Sequence, residues 1–156
     1  MPGTDNRLSA ALPGHLIRRL HQRSTQIFAQ RMKAGGHDLT PIQFAALDAL
    51  RAEPGIDQAR LATAVAKDRA TIGGVVDRLE QKGLVSRVVN SADKRARTLK
   101  LTDAGVEIVA ALSVVVQDLQ RDILPGLTAD EYAQFVALAV KAAADDTDDQ
   151  MWRRPA

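Results

Sequence analysis

Arg69, Thr71 and Arg78 fall within one predicted helix, and Lys94, Arg95 and Arg97 crowd a short polar run further along the chain. Ammonium and guanidinium groups pair with phosphate oxygens, and guanidinium forks and hydroxyls also hydrogen-bond base edges. The set is therefore suited to a nucleic acid. Its surroundings sharpen the point: residues 56–101 hold 10 of the 21 Lys and Arg side chains but 5 of the 19 Asp and Glu, a balance of +5 that leaves −3 for the rest. An overall charge of +2 thus hides a basic module of the kind that a polyanion attracts.

The elements that must hold these side chains are legible from spacing. Asp57 is placed to cap a short helix to about Val65, with Leu61, Ala62 and Val65 on one stripe. Ala66 and Lys67 make a turn, and Asp68 caps a second helix that Gly83 ends. In it Ile72, Val75, Val76 and Leu79 fall at i, i+3, i+4 and i+7, which leaves Arg69, Thr71, Gly73, Gly74, Asp77 and Arg78 on other faces. Two short helices joined by a tight turn form a helix-turn-helix, whose second helix enters the major groove. Residues 84–89 are then rich in β-branched side chains, 90–97 are polar and basic, and 98–101 alternate, which predicts a two-stranded hairpin. Its tip carries Lys94, Arg95 and Arg97 on a loop with no apolar residue except Ala92 and Ala96, so it is free to reach a minor groove. The pair Gly73 and Gly74 costs up to about 1 kcal/mol each inside a helix, so close approach to DNA or to a neighbouring helix is expected there.

The run from Asp77, Arg78, Leu79, Glu80, Gln81, Lys82, Gly83, Leu84 and Val85, through Asp93, Lys94, Arg95 and Arg97, to Leu101, Thr102, Asp103, Ala104 and Gly105 resembles the MarR family of winged-helix regulators. The helix order on both sides fits that family across nearly the whole chain. The resemblance implies that Arg95 enters the minor groove and that Asp93 orients it. It also implies a homodimer presenting two recognition helices to successive major grooves, hence a pseudo-palindromic operator with half-sites about 10 bp apart. The two glycines depart from the family's usual larger polar side chains, which shifts base reading toward Arg69, Thr71 and Arg78. Lys82 and Lys100 are candidate phosphate contacts.

The fold expected is mainly α with a small two-stranded β wing: a winged helix-turn-helix at residues 40–101 between long dimerisation helices. Residues 1–39 supply an N-terminal arm and helix, and 102–156 supply the C-terminal helices and an acidic tail. Helix 15–33 carries Leu16, Leu20 and Ile27 as its apolar stripe and closes at Gly35 and Gly36. Thr40, Pro41 and Gln43 form a capping box for the next helix, ended by Pro54 and Gly55. Thr102 caps a helix to about Ile123 that is nearly continuous in apolar and small residues from Val106 to Val116. Thr128 with Glu131 caps the last, to about Ala144, before an acidic run at 145–149 and Trp152. These helices are more apolar than a 46-residue partner can bury, which points to a second chain.

Composition narrows the remaining classes. Cysteine is absent, which excludes disulfides, thiolate metal sites and the branch of the family that senses oxidants through cysteine. No segment reaches the roughly 18 apolar residues of a membrane helix and the start lacks a signal-peptide pattern, so a cytoplasmic location without membrane contact is expected. The three histidines lack zinc-ligand spacing, and there is no glycine-rich phosphate loop or nucleophile elbow. Neither metal, cofactor nor catalysis is expected. A ligand is: His15, Arg19 and Gln22 lie at i, i+4 and i+7 on the first helix, where a cationic fork beside an imidazole would pair with a carboxylate and a neighbouring hydroxyl. Family members commonly bind small aromatic acids or phenols between the dimer helices and the DNA lobe, and Asp48, alone in an apolar helix, is a further candidate for that cleft. The expected function is a ligand-responsive repressor; a constitutive or architectural DNA-binding protein would share the lobe but have no pocket.

Overall fold

The computed structural model describes residues 7–65, 68–89, 92 and 97–144. The turn at Ala66 and Lys67, the side chain of Arg69, the wing residues Asp93, Lys94 and Arg95, the acidic run and Trp152 lie outside the described residues. The chain divides after Ile123.

In the first unit, α1 spans Pro13–Ala34, beginning before His15 because Pro13 occupies the first turn, where its missing N–H costs nothing. The preceding arm holds a 3-10 turn over Leu8–Ala11. Of α1 only Phe28 and Met32 are buried. The expected stripe is correspondingly shallow, with Leu16 40% and Ile17 65% exposed. Gly36, at φ 72°, reverses the chain, and His37 N donates to Met32 O at 2.8 Å. α2 spans Pro41–Ala52 behind the capping box: Thr40 Oγ1 accepts from Gln43 N at 3.3 Å and Gln43 Oε1 accepts from Thr40 N at 3.2 Å.

α3 (Gln58–Ala64) and α4 (Arg69–Gln81) follow, capped by Asp57 at 2.7 Å and by Asp68 at 2.8 Å. Together with α2 they enclose Ala46, Leu47, Leu50, Leu61, Ile72 and Leu79, each at most 1% exposed. Burying such side chains yields roughly 1.5–3 kcal/mol apiece, so these short helices persist where isolated ones would not. Strands β1 (Val85–Val89) and β2 (Arg97–Leu101) pair antiparallel, with Val85 opposite Leu101 and Val89 opposite Arg97. Arg97 thus stands at a strand end rather than in the loop. Leu84, Val85 and Leu99 are buried at the base of the hairpin. The 55–56 turn covers the outer edge of β2, with Gly55 N donating to Leu99 O at 3.0 Å and Leu99 N to Ile56 O at 2.9 Å.

The three residues after α4 form a junction. Lys82 Nζ donates to the Asp38 carbonyl and, at 3.2 Å, to Gln43 Oε1. The Gly83 carbonyl accepts from Thr102 Oγ1 at 2.6 Å and the Leu84 carbonyl from Thr102 N at 3.0 Å. The segments that connect the lobe to the helices before and after it are therefore both fastened to one corner. α5 spans Asp103–Ile123 and buries Val109, Leu112, Leu119 and Ile123. It is clamped to α1 by Arg31, which reaches Asp118 at 3.0 Å and also Asp122, and by Arg23, whose Nη1 donates to Ile123 O at 3.3 Å. Those two carboxylates raise the Arg31 pKa, chiefly through the Asp118 hydrogen bond.

In the second unit, α6 spans Ala129–Ala143 behind a complete Thr128–Glu131 capping box and has no buried residue. Leu138 and Val140 are 66% and 67% exposed. No helix among the described residues is long and apolar enough to cross a membrane.

Candidate nucleic-acid interface

α4 is built as a packing face and a free face. Ile72, Val76 and Leu79 are fully buried and Val75 nearly so, while Thr71, Gly74, Asp77, Arg78 and Gln81 are exposed. At its start the Asp68 carboxylate accepts from Thr71 N and, at 2.7 Å, from the Thr71 hydroxyl. Those bonds, the hydroxyl first, hold the Asp68 pKa below its ordinary value. The Thr71 proton is thereby committed to the cap, so what Thr71 presents outward is its methyl group and oxygen lone pairs. The glycines separate: a Cβ on Gly73 would lie 3.2 Å from Gln58 Nε2 of α3, whereas Gly74 has nothing within 4 Å. Close helix approach accounts for the first, and the second leaves bare backbone on the outer face.

The lobe sorts its cations into two groups. Arg60 is paired with Glu53 at 3.2 Å, Lys82 with Asp38 at 3.5 Å, and Arg87 with Asp77 at 2.5 Å and Glu80 at 3.2 Å. Lys82 is consumed by the junction, which removes it as a phosphate contact. Arg78, Arg97 and Lys100 are exposed and have no ion pair among the described residues. Arg78 also borders a cleft of about 410 Å³ with Asp38, Thr40, Gln43, Gln81 and Lys82. Sequence reasoning missed the Arg87 pairing; the signal available was two acids at i, i+3 on α4 followed by a lone arginine in the next strand.

The candidate effector residues are dispersed among local partners. His15 Nδ1 lies 3.2 Å from an Arg18 guanidinium nitrogen, and Arg19 and Gln22 are exposed on the amino-terminal half of α1. Asp48 accepts from Arg51 Nε at 2.9 Å, one turn away on α2, and not from α1. His15, Arg19 and Gln22 share a face, as their spacing requires, but Asp48 is occupied elsewhere.

Residues 37–96 match the model of the MarR family, which covers the lobe from before α2 through β1 and stops just short of β2. Over 133 residues the chain is 35% identical to the HTH-type transcriptional repressor NicR of Pseudomonas putida, spanning 85% of this chain and 83% of that one. Among solved structures, BpsR of Bordetella bronchiseptica, whose DNA binding is regulated by 6-hydroxynicotinic acid, superposes with a TM-score of 0.79 at 31% identity, covering 87% of this chain and 96% of that one. A mutant MarR from E. coli complexed with operator DNA superposes with a TM-score of 0.78 at 30% identity, covering 90% and 100%. The helix order, the antiparallel wing and these likenesses agree: the chain belongs to the MarR family of winged helix-turn-helix transcriptional regulators.

Proposed function

We propose that the protein is a repressor that binds a pseudo-palindromic operator as a homodimer and is released by a small aromatic acid or phenol. The observation that carries the DNA reading is the sorting of cations: among the described residues three are neutralised inside the lobe, while Arg78, on the free face of α4, and Arg97 and Lys100, on the wing strand, have no ion pair. A helix of this size fits a major groove, and a hairpin beside it suits the flanking minor groove. In this reading Arg69, Thr71 and Arg78 face the major groove, Lys94, Arg95 and Arg97 the backbone and minor groove, and Asp93 orients Arg95. The family's dimeric architecture would cover apolar surface such as Leu138 and Val140 of α6.

The effector reading rests on likeness to BpsR and on the half-buried His15 beside the exposed Arg19 and Gln22. A carboxylate would pair with Arg19 and a ring hydroxyl with His15. Tenfold release requires the ligand to favour the non-binding arrangement by about 1.4 kcal/mol.

Fluorescence anisotropy on duplexes from the gene's own upstream region tests both parts. Binding should weaken steeply as salt rises, because each neutralised phosphate releases counterions. 6-Hydroxynicotinate or a hydroxybenzoate should weaken it further, and Arg19→Ala should abolish that response while sparing DNA affinity. Salt-independent binding with no preferred fragment would sink the DNA reading; an affinity and melting temperature indifferent to every acid tried would sink the effector.

A further inference from the structure

Arg87 stands third in β1, opposite Leu99, and its side chain turns back onto α4. Nη2 donates to Asp77 Oδ1 at 2.5 Å and Nη1 to Glu80 Oε1 at 3.2 Å, so one planar fork joins two carboxylates spaced three apart on the helix. Only 21% of the Arg87 side chain is exposed, against 60% and 44% for the acids. Both carboxylates raise its pKa, the Asp77 hydrogen bond most. An arginine so placed stays charged throughout the ordinary pH range.

Its place along the hairpin gives the pairing a use. Inward of Arg87 the hairpin is held by the buried Leu84 and Val85, and level with it by the buried Leu99. Outward of it Val88 and Val89 are 41% and 56% exposed, and Arg97 opposite Val89 is exposed too. Among the described residues of β1 and β2 Arg87 is thus the outermost side chain paired with the recognition helix. A two-stranded hairpin is marginal by itself, so cutting this tie should loosen the angle that β1 and β2 make with α4. Asp77 and Glu80 also call for a reason, since acids beside the proposed DNA face repel phosphate.

We propose that Arg87 is a positioning residue: with Asp77 and Glu80 it fixes the angle between α4 and the wing so that helix and tip engage one operator in a single register. This rests on the DNA-binding reading above. It makes two acids favourable to operator binding although they are unfavourable to a generic polyanion.

That inversion of sign is the test. Duplexes selected by the wild-type protein from a random pool, and an unselected duplex, are titrated with wild type, Arg87→Ala, Arg87→Lys and the double variant Asp77→Asn/Glu80→Gln over a salt series. Arg87→Ala and the double variant should each lose roughly tenfold in operator affinity, the scale of one charge-assisted hydrogen bond, with little loss on the unselected duplex. Hydroxyl-radical protection at the flanking minor grooves should fade, and Arg87→Lys should recover part of both. On the unselected duplex the salt slope of Arg87→Ala should equal that of wild type, because the guanidinium faces carboxylates and not phosphate. A double variant that binds operator as tightly as wild type or tighter overturns the proposal, as does an Arg87→Ala slope reduced by about 0.9 on the unselected duplex. Should Arg87→Ala melt below the assay temperature, the lysine and double variants decide. Wild type that selects no duplex overturns the DNA-binding reading instead.

Discussion

Gly105→Ala sets helix propensity against packing, and the two predict opposite signs. In the first turn of α5 alanine is the better helix former by up to about 1 kcal/mol. A Cβ at this position, however, would lie 2.1 Å from the Leu84 carbonyl oxygen and 3.1 Å from its carbon. Ordinary carbon–oxygen contacts are about 3.3–3.6 Å, so α5 and the corner after α4 would have to part by more than about 1 Å. That corner accepts two hydrogen bonds from Thr102, at 2.6 and 3.0 Å, and Leu84 itself is buried. Overpacking costs about 1–3 kcal/mol and each weakened hydrogen bond about 1 kcal/mol, so the net destabilisation should be roughly 2–3 kcal/mol. For a chain of this size that lowers Tm by roughly 5–10 °C. Circular dichroism melts and urea titrations of both proteins at equal concentration read it directly. A variant as stable as wild type would refute the steric argument and leave propensity in charge.

Three further sets of variants test the lobe. Arg97→Ala should weaken binding about evenly across sequences and reduce the salt slope by about 1, whereas Arg95→Ala should cost at most a few kcal/mol and alter preference at flanking positions, both read by anisotropy and footprinting. Asp68 titrates below its ordinary value in the folded chain, so its stabilising effect is complete above the usual carboxylate range and is lost as pH falls through the depressed value. Asp68→Asn, which keeps a capping oxygen but cannot ionise, should flatten the acid limb of a stability–pH profile, and an unchanged limb would count against that linkage. Gln43→Ala should destabilise by about 1–3 kcal/mol in chemical denaturation, since Gln43 Oε1 serves both the Thr40 N–H and Lys82.

Features written in consecutive residues were legible in the sequence. The caps at Thr40, Asp57, Asp68 and Thr128 each depend on a side chain reaching a backbone N–H three residues away, so spacing alone located them. The buried stripe of α4 followed from a 3.6 period for the same reason. What escaped was anything set by a partner distant in sequence. Lys82 read as a free cation because Asp38 and Gln43 lie 44 and 39 residues earlier. One local pair escaped as well: Asp48 read as a lone acid in an apolar helix, although Arg51 stood one turn away and pairs with it. The stripe on α1 was periodic, yet Leu16 stays 40% exposed and Leu20 and Ile27 only half-buried, because periodicity names a face without naming what meets it.

The junction at Lys82, Gly83 and Leu84 has a mechanical consequence. Because Asp38 and Thr102 both grip the chain just past the carboxyl end of α4, that end is a fulcrum, and the opposite end, moving with α3 packed against it, is the far end of a lever. Thirteen residues at 1.5 Å each make the arm about 20 Å long. A tilt of about 10° at the fulcrum carries the turn bearing Arg69 and Thr71 through about 3 Å, roughly a whole hydrogen-bond length. Lys82 meanwhile hardly moves. Whatever displaces the long helices by a small angle is therefore magnified where bases would be read, and the side chains that feel it most are those furthest from the push.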